Sequence, residues 1–155
     1  MSETRDLQEN GLVLTSSAFK EGEAIPVVHS CDGDNISPPL AWSGVDKGAK
    51  SLVLTMEDPD APGGIFDHWV VYDIPPNATE IPEGELPPGT PGVGTSGTVG
   101  YYGPCPPGER HYYVFTLYSL DTVLSFPEGA SKEEVMEAMT GNVLQKAELT
   151  AYFER

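Results

Sequence analysis

Two proline-bounded turns carry the residues of this chain best suited to chemistry. The first, Asp58-Pro59-Asp60-Ala61-Pro62, precedes His68 within EDPDAPGGIFDHWVVYDIPP at 57–76. The second, GPCPPGERHYY at 103–113, places Cys105, Pro106 and Pro107 ahead of His111 and Tyr113. Each turn delivers a histidine to the mouth of an apolar run. If the two runs are neighbours in one sheet, both imidazoles converge on one rim and line a pocket. Residues two apart on a strand share a face, so His111 and Tyr113 point together while Arg110 and Tyr112 point the other way. Asp58, His68, His111 and Tyr113 would then offer imidazole and phenol donors, with a carboxylate that orients an imidazole or accepts from an ammonium group. Such a set suits a small phosphorylated ligand carrying an amine.

Two other readings compete. Each histidine could simply end its strand with a satisfied hydrogen bond. Alternatively His68, His111 and Asp58 form a two-histidine, one-carboxylate site of a metal-dependent hydrolase. No nucleophile is evident: Cys105 lies six residues before His111, but among prolines and without an activating geometry. The leading reading is therefore a non-enzymatic binding protein that needs no cofactor and no metal.

The elements that must position these residues are strands. Ser51–Met56, His68–Ile74 and His111–Leu120 are rich in β-branched and aromatic residues. The second and third are apolar on both faces, as central strands of a packed sheet are, and a β-sandwich would bury them. Shorter runs at 12–14 and 25–28 suit edge positions. One helix is expected from Ser131 to about Lys146, with Ser131 and Glu134 in a capping-box pattern and Val135, Met139 and Val143 at four-residue spacing. Residues 82–108 hold eight glycines and seven prolines, too many for a regular element, and read as one ordered loop. Within it, Gly92-Val93-Gly94-Thr95-Ser96-Gly97 matches G-x-G-x-x-G, but no strand precedes it and no helix follows, so the dinucleotide reading fails.

The chain of 155 residues fits a single domain, with residues 1–10 a candidate for disorder. With 24 acidic against 8 basic residues and a net charge of −16, it should repel nucleic acid and anionic headgroups. The start, MSETRDLQENG, lacks the pattern of a signal peptide, and no apolar run approaches the ~20 residues of a membrane span. The reading is cytoplasmic, with no stable membrane insertion, and Asn77-Ala78-Thr79 is then a chance glycosylation match. In that setting Cys31 and Cys105 are expected as free thiols, with one bridge the alternative. The acidic excess reads either as an ordinary solvated surface or, the reading preferred, as halophilic adaptation. Melting temperature should then keep rising as KCl increases to molar levels, beyond the early gain from screening that acts over about 10 Å at 0.1 M salt. A flat melting temperature across that range would exclude it.

Four stretches, SCDGDNISPPLAW (30–42), SLVLTMEDPDAP (51–62), HWVVYDIPP (68–76) and GYYGPCPPGERHYYVFTLYSLD (100–121), resemble in order the motifs of the phosphatidylethanolamine-binding protein family, in its bacterial and archaeal, Raf kinase inhibitor-like branch. The resemblance runs from about residue 23 through the closing AELTAYFER. It implies an antiparallel Greek-key-type β-sandwich, dominated by β-structure, with one clear C-terminal helix, other short peripheral helices and an anion pocket at one end. Carried over, Asp58 and His68 are the pocket aspartate and histidine, Asp60 the second aspartate of DPDAP, and His111 and Tyr113 the ends of the His-Arg-Tyr motif. Cys105 falls where the family presents a backbone amide to the anion, followed by Pro106. The function implied is binding of a phosphate- or phosphoethanolamine-like group, with regulation of a protein kinase or protease as in some relatives. Tyr112 departs from the motif's arginine, so Asp60 needs another partner, and Arg110 is the candidate substitute. Ligand binding is expected to draw on positive charge at both His68 and His111, raised by Asp58, and to weaken when either becomes alanine while the fold stays intact.

Overall fold

The computed structural model describes residues 11–155; the expectation for residues 1–10 lies outside them. The described residues form eight strands: β1 (Val13–Thr15), β2 (Leu40–Ser43), β3 (Ser51–Asp58), β4 (Phe66–Ile74), β5 (Glu80–Ile81), β6 (Thr90–Pro91), β7 (Arg110–Leu120) and β8 (Val143–Glu154). A helix, α1, spans Lys132–Met139, and a short 3-10 turn covers Val27–His29. The strands form a three-stranded sheet, β1-β2-β5, and a five-stranded sheet, β6-β4-β3-β7-β8, with every pair antiparallel. From the β3–β4 hairpin the chain crosses to the small sheet for β5, returns at the far edge as β6, and re-enters beside β3 as β7. That order is the β-sandwich expected.

The apolar character of both faces of β3 and β4 has a direct cause. Leu52, Leu54, Met56, Trp69 and Val71 pack between the sheets with Leu14, Leu40, Trp42 and Ile81. Val53, Val70 and Tyr72 face the other way, where Val135 and Met139 of α1 cover them together with Ala130. Strands β3 and β4 are thus buried on both sides.

The expected helix to Lys146 ends early. Ser131 accepts from the Glu134 amide and Glu134 returns the bond, completing the capping box. The helix stops at Met139, and Gly141 takes the left-handed conformation at φ 83°. From Val143 the chain is the longest strand, paired along β7 from Leu120 to Arg110. Its alternation was readable, since Gln145, Ala147, Leu149, Ala151 and Phe153 are buried in turn. The run at 25–28 is likewise not a full edge strand: Pro26 and the 3-10 turn interrupt it, and Ala24 alone bridges Tyr152.

Residues 82–108 are loop apart from β6 and isolated bridges. The glycine pattern inside it serves close packing rather than a cofactor. A Cβ on Gly92 would sit 2.4 Å from the Ala130 carbonyl oxygen, and one on Gly94 2.4 Å from that of Asp67. Bare glycines let the loop lie against β4.

Candidate functional site

The site lies at the end of the sandwich, where three central strands stop. Asp58 is the last residue of β3 and continues the inward row of Leu52, Leu54 and Met56. His111 and Tyr113 begin the inward row of β7 that Phe115 and Leu117 extend. His68 comes from the wrong row: by simple alternation it would follow Val70 and Tyr72 toward α1. A bulge corrects this. Met56 pairs with Trp69 but Glu57 pairs with Asp67, so His68 is the extra residue of β4. A bulged residue re-aims its side chain, and here the imidazole joins the inner face.

Asp58, Ala61, Pro62, Phe66, His68, Tyr102, Cys105, Pro106, Pro107, His111 and Tyr113 line one cavity of about 250 Å³. The structure therefore brings together six of the seven residues singled out from sequence. Asp60 is not in the lining; its Oδ2 accepts from the Tyr112 backbone N–H at 2.9 Å. This amide takes the place expected of an arginine. Arg110 does not substitute: it pairs with Glu154 at 3.0 Å and lies 3.9 Å over the Tyr152 ring. Phe66, Tyr102 and Glu109 were missed. Phe66 shares the cavity-facing side with Asp58, its pairing partner, whereas nothing periodic marks Tyr102.

Asp58 is fully engaged. Its Oδ1 accepts the Asp60 amide at 2.8 Å and its Oδ2 accepts from His111 Nδ1 at 2.6 Å. The other nitrogen of His111, Nε2, faces Glu109 Oε1 at 3.1 Å. An ionised carboxylate can only accept from a ring N–H, so the arrangement suits the imidazolium form, with a proton on each nitrogen. Burial alone would lower its pKa, but the bonds to Asp58 and Glu109 and their charges outweigh burial and raise it.

His68 behaves oppositely. Its Nδ1 donates to the Tyr102 carbonyl at 2.6 Å, which fixes the tautomer and leaves Nε2 with the lone pair in the neutral ring. Burial lowers its pKa and prevails over the Tyr102 bond and the charges of Asp58 and Asp67, with His111 lowering it further. The expectation that Asp58 leaves both histidines raised is corrected: its charge favours the charged form of each, but at His68 burial outweighs it and only His111 is raised. Both rings at the strand mouths are nevertheless buried, His68 4% and His111 2% exposed. Tyr113, packed edge-on against His68 at 5.3 Å between ring centres, stays protonated because burial and the charges of Asp58 and Asp60 raise its pKa.

The loop wall is pinned from outside. Cys31 and Cys105 form a disulfide, so the expected free thiols are not found. The Cys31 amide donates to the Pro104 carbonyl at 3.1 Å, and the Gly103 amide to Asn35 Oδ1 at 3.0 Å. Asn35 holds a positive φ of 58°, a conformation asparagine tolerates better than most residues. The stretch SCDGDN thus serves as a brace for the site loop. The third histidine, His29, is structural: Nδ1 donates to the Ile36 carbonyl at 3.0 Å. Among the described residues no group of three or more His, Cys, Asp or Glu is arranged to hold a metal ion. No helix among them is long and apolar enough to cross a membrane.

Comparison with known proteins gives matches over most of the chain. The family model for phosphatidylethanolamine-binding protein matches residues 15–154. A UPF0098 protein of Methanothermobacter thermautotrophicus is 51% identical over 148 residues, covering 92% of this chain and 98% of that protein. The crystal structure of a phosphatidylethanolamine-binding protein homologue, CT736 from Chlamydia trachomatis, superposes with a TM-score of 0.91 at 45% identity, over 94% of this chain and 99% of that one. YbcL from Escherichia coli, described as a member of the mammalian family, gives 0.86 at 34% identity, over 93% and 98%.

Proposed function

The chain belongs to the phosphatidylethanolamine-binding protein family, and from that premise we propose that it binds a small anion, a phosphate or a phosphorylated group, between His68 and His111. The observation that carries this reading is the Asp58–His111 contact of 2.6 Å at the base of the cavity. A buried carboxylate holds an imidazolium in place, and Tyr113 and the His68 ring stand beside it as further polar groups among apolar walls. The ligand's phosphate meets His111, and any apolar part meets Phe66 and the prolines. The same pocket serves a phosphorylated side chain of a kinase or protease partner, the regulatory role suggested by the sequence resemblance. The hydrolase alternative is the weaker one, because both oxygens of Asp58 are committed within the protein. The disulfide weighs against the cytoplasmic assignment, since oxidising compartments are where such bridges ordinarily persist.

Sulfate, whose charge stays constant between pH 5 and 9, tests the site by calorimetry at fixed ionic strength. His111, raised above the ordinary histidine value of ~6.5, keeps its charge through that value and loses it as pH rises through its own. Sulfate affinity should therefore hold at pH ~6.5 and fall on the alkaline side. His68, lowered, adds its charge only below that value, giving a second gain in acid. Affinity independent of pH, or no sulfate uptake at all, would contradict the proposal.

A further inference from the structure

Both ring nitrogens of His111 are occupied by carboxylates, but the two are unlike. Asp58 is 3% exposed and its second oxygen is tied to the Asp60 amide, so it cannot leave without stranding a buried charge. Glu109 has its side chain 64% exposed, and its single contact in the site is the 3.1 Å approach to Nε2. It sits between Gly108, at φ 86°, and the first residue of β7, with solvent to move into. Any anion seeking the His111 ring must take Nε2, because Nδ1 belongs to Asp58. Charge adds to the conflict: Asp58, His111 and Glu109 together sum to −1, so the site as it stands repels the ligand it is shaped for.

We propose that Glu109 is a built-in occupant of the anion seat, a carboxylate that incoming phosphate displaces from His111 Nε2. The inference rests on the anion-binding reading above and adds a residue that sets how tightly the site binds. Displacement is feasible because Glu109, unlike Asp58, returns to solvent when it leaves and strands no buried carboxylate. Glu109 then excludes weak anions while yielding to one that also reaches His68.

Calorimetry with inorganic phosphate at pH ~5.5 and fixed ionic strength tests this, since Asp58 alone suffices there to keep the His111 ring charged. Glu109→Gln should bind phosphate roughly two- to fivefold more tightly than the unmodified protein. Glu83→Gln serves as control: Glu83 is similarly exposed and lies 3.7 Å from the ring of His29, not of His111. Its affinity should be unchanged. Unchanged or weaker binding by Glu109→Gln overturns the proposal, as does an equal gain in both variants, which would mean only a general field. If the unmodified protein binds and His68→Ala does not, the anion site survives that failure. Absence of phosphate binding by all of these proteins overturns the site and the occupant together.

Discussion

His111→Ala is expected to lose anion binding and also to destabilise the fold by about 3–5 kcal/mol, the usual cost of stripping one partner from a buried ion pair. The cause is Asp58, left buried with an unpaired charge 3% exposed to solvent. Urea unfolding at pH ~6 measures the loss. His111's folded pKa is raised, so the pair's contribution is complete below the unfolded value of ~6.5 and fades as pH rises through the folded one. The difference between variant and parent should shrink in alkaline buffer. A variant within about 1 kcal/mol of the parent at pH ~6 would mean that the Asp58–His111 contact is not a buried pair in solution. His68→Ala is the gentler probe, since it strands one carbonyl, that of Tyr102, at about 1–3 kcal/mol.

Reduction of the Cys31–Cys105 bridge should cost about 2–4 kcal/mol, because it closes a loop with a sequence separation of 74 residues and its loss frees the unfolded chain. Thermal melts with and without a phosphine reductant give the shift, and mass spectrometry confirms two new thiols. The same reduction should weaken sulfate binding, since Cys105 and Pro106 line the cavity and the bridge holds their loop against residues 30–36. Identical melts for oxidised and reduced protein would show that the Gly103–Asn35 and Cys31–Pro104 hydrogen bonds suffice to brace the loop.

The strands that frame the site were legible from residue type: Trp69 to Ile74 and Tyr113 to Leu120 are largely apolar in both registers, and Leu52 to Met56 is rich in aliphatic residues. Asp58, His68, His111 and Tyr113 could be gathered from two proline-bounded turns before any coordinates. What carried His68 to the inner face could not, since a bulge is a property of pairing between β3 and β4 and leaves no mark on one strand's sequence. The expected helix overextends because Val143 continues the spacing of Val135 and Met139, whereas Gly141, in the left-handed conformation, ends it. The bridge was misjudged because compartment was argued from composition, whereas the two cysteines are brought together by the fold. Arg110 was offered to Asp60 on the strength of its face, yet Glu154 on β8, a strand absent from the sequence reading, had the better claim.

The anion seat is tested most directly by a crystal structure grown or soaked with inorganic phosphate. One phosphate is expected in the cavity, with one oxygen accepting from His111 Nε2 and a P–OH donating to His68 Nε2, each within about 3 Å. An empty cavity at saturating phosphate, or phosphate bound only at surface lysines, would contradict it.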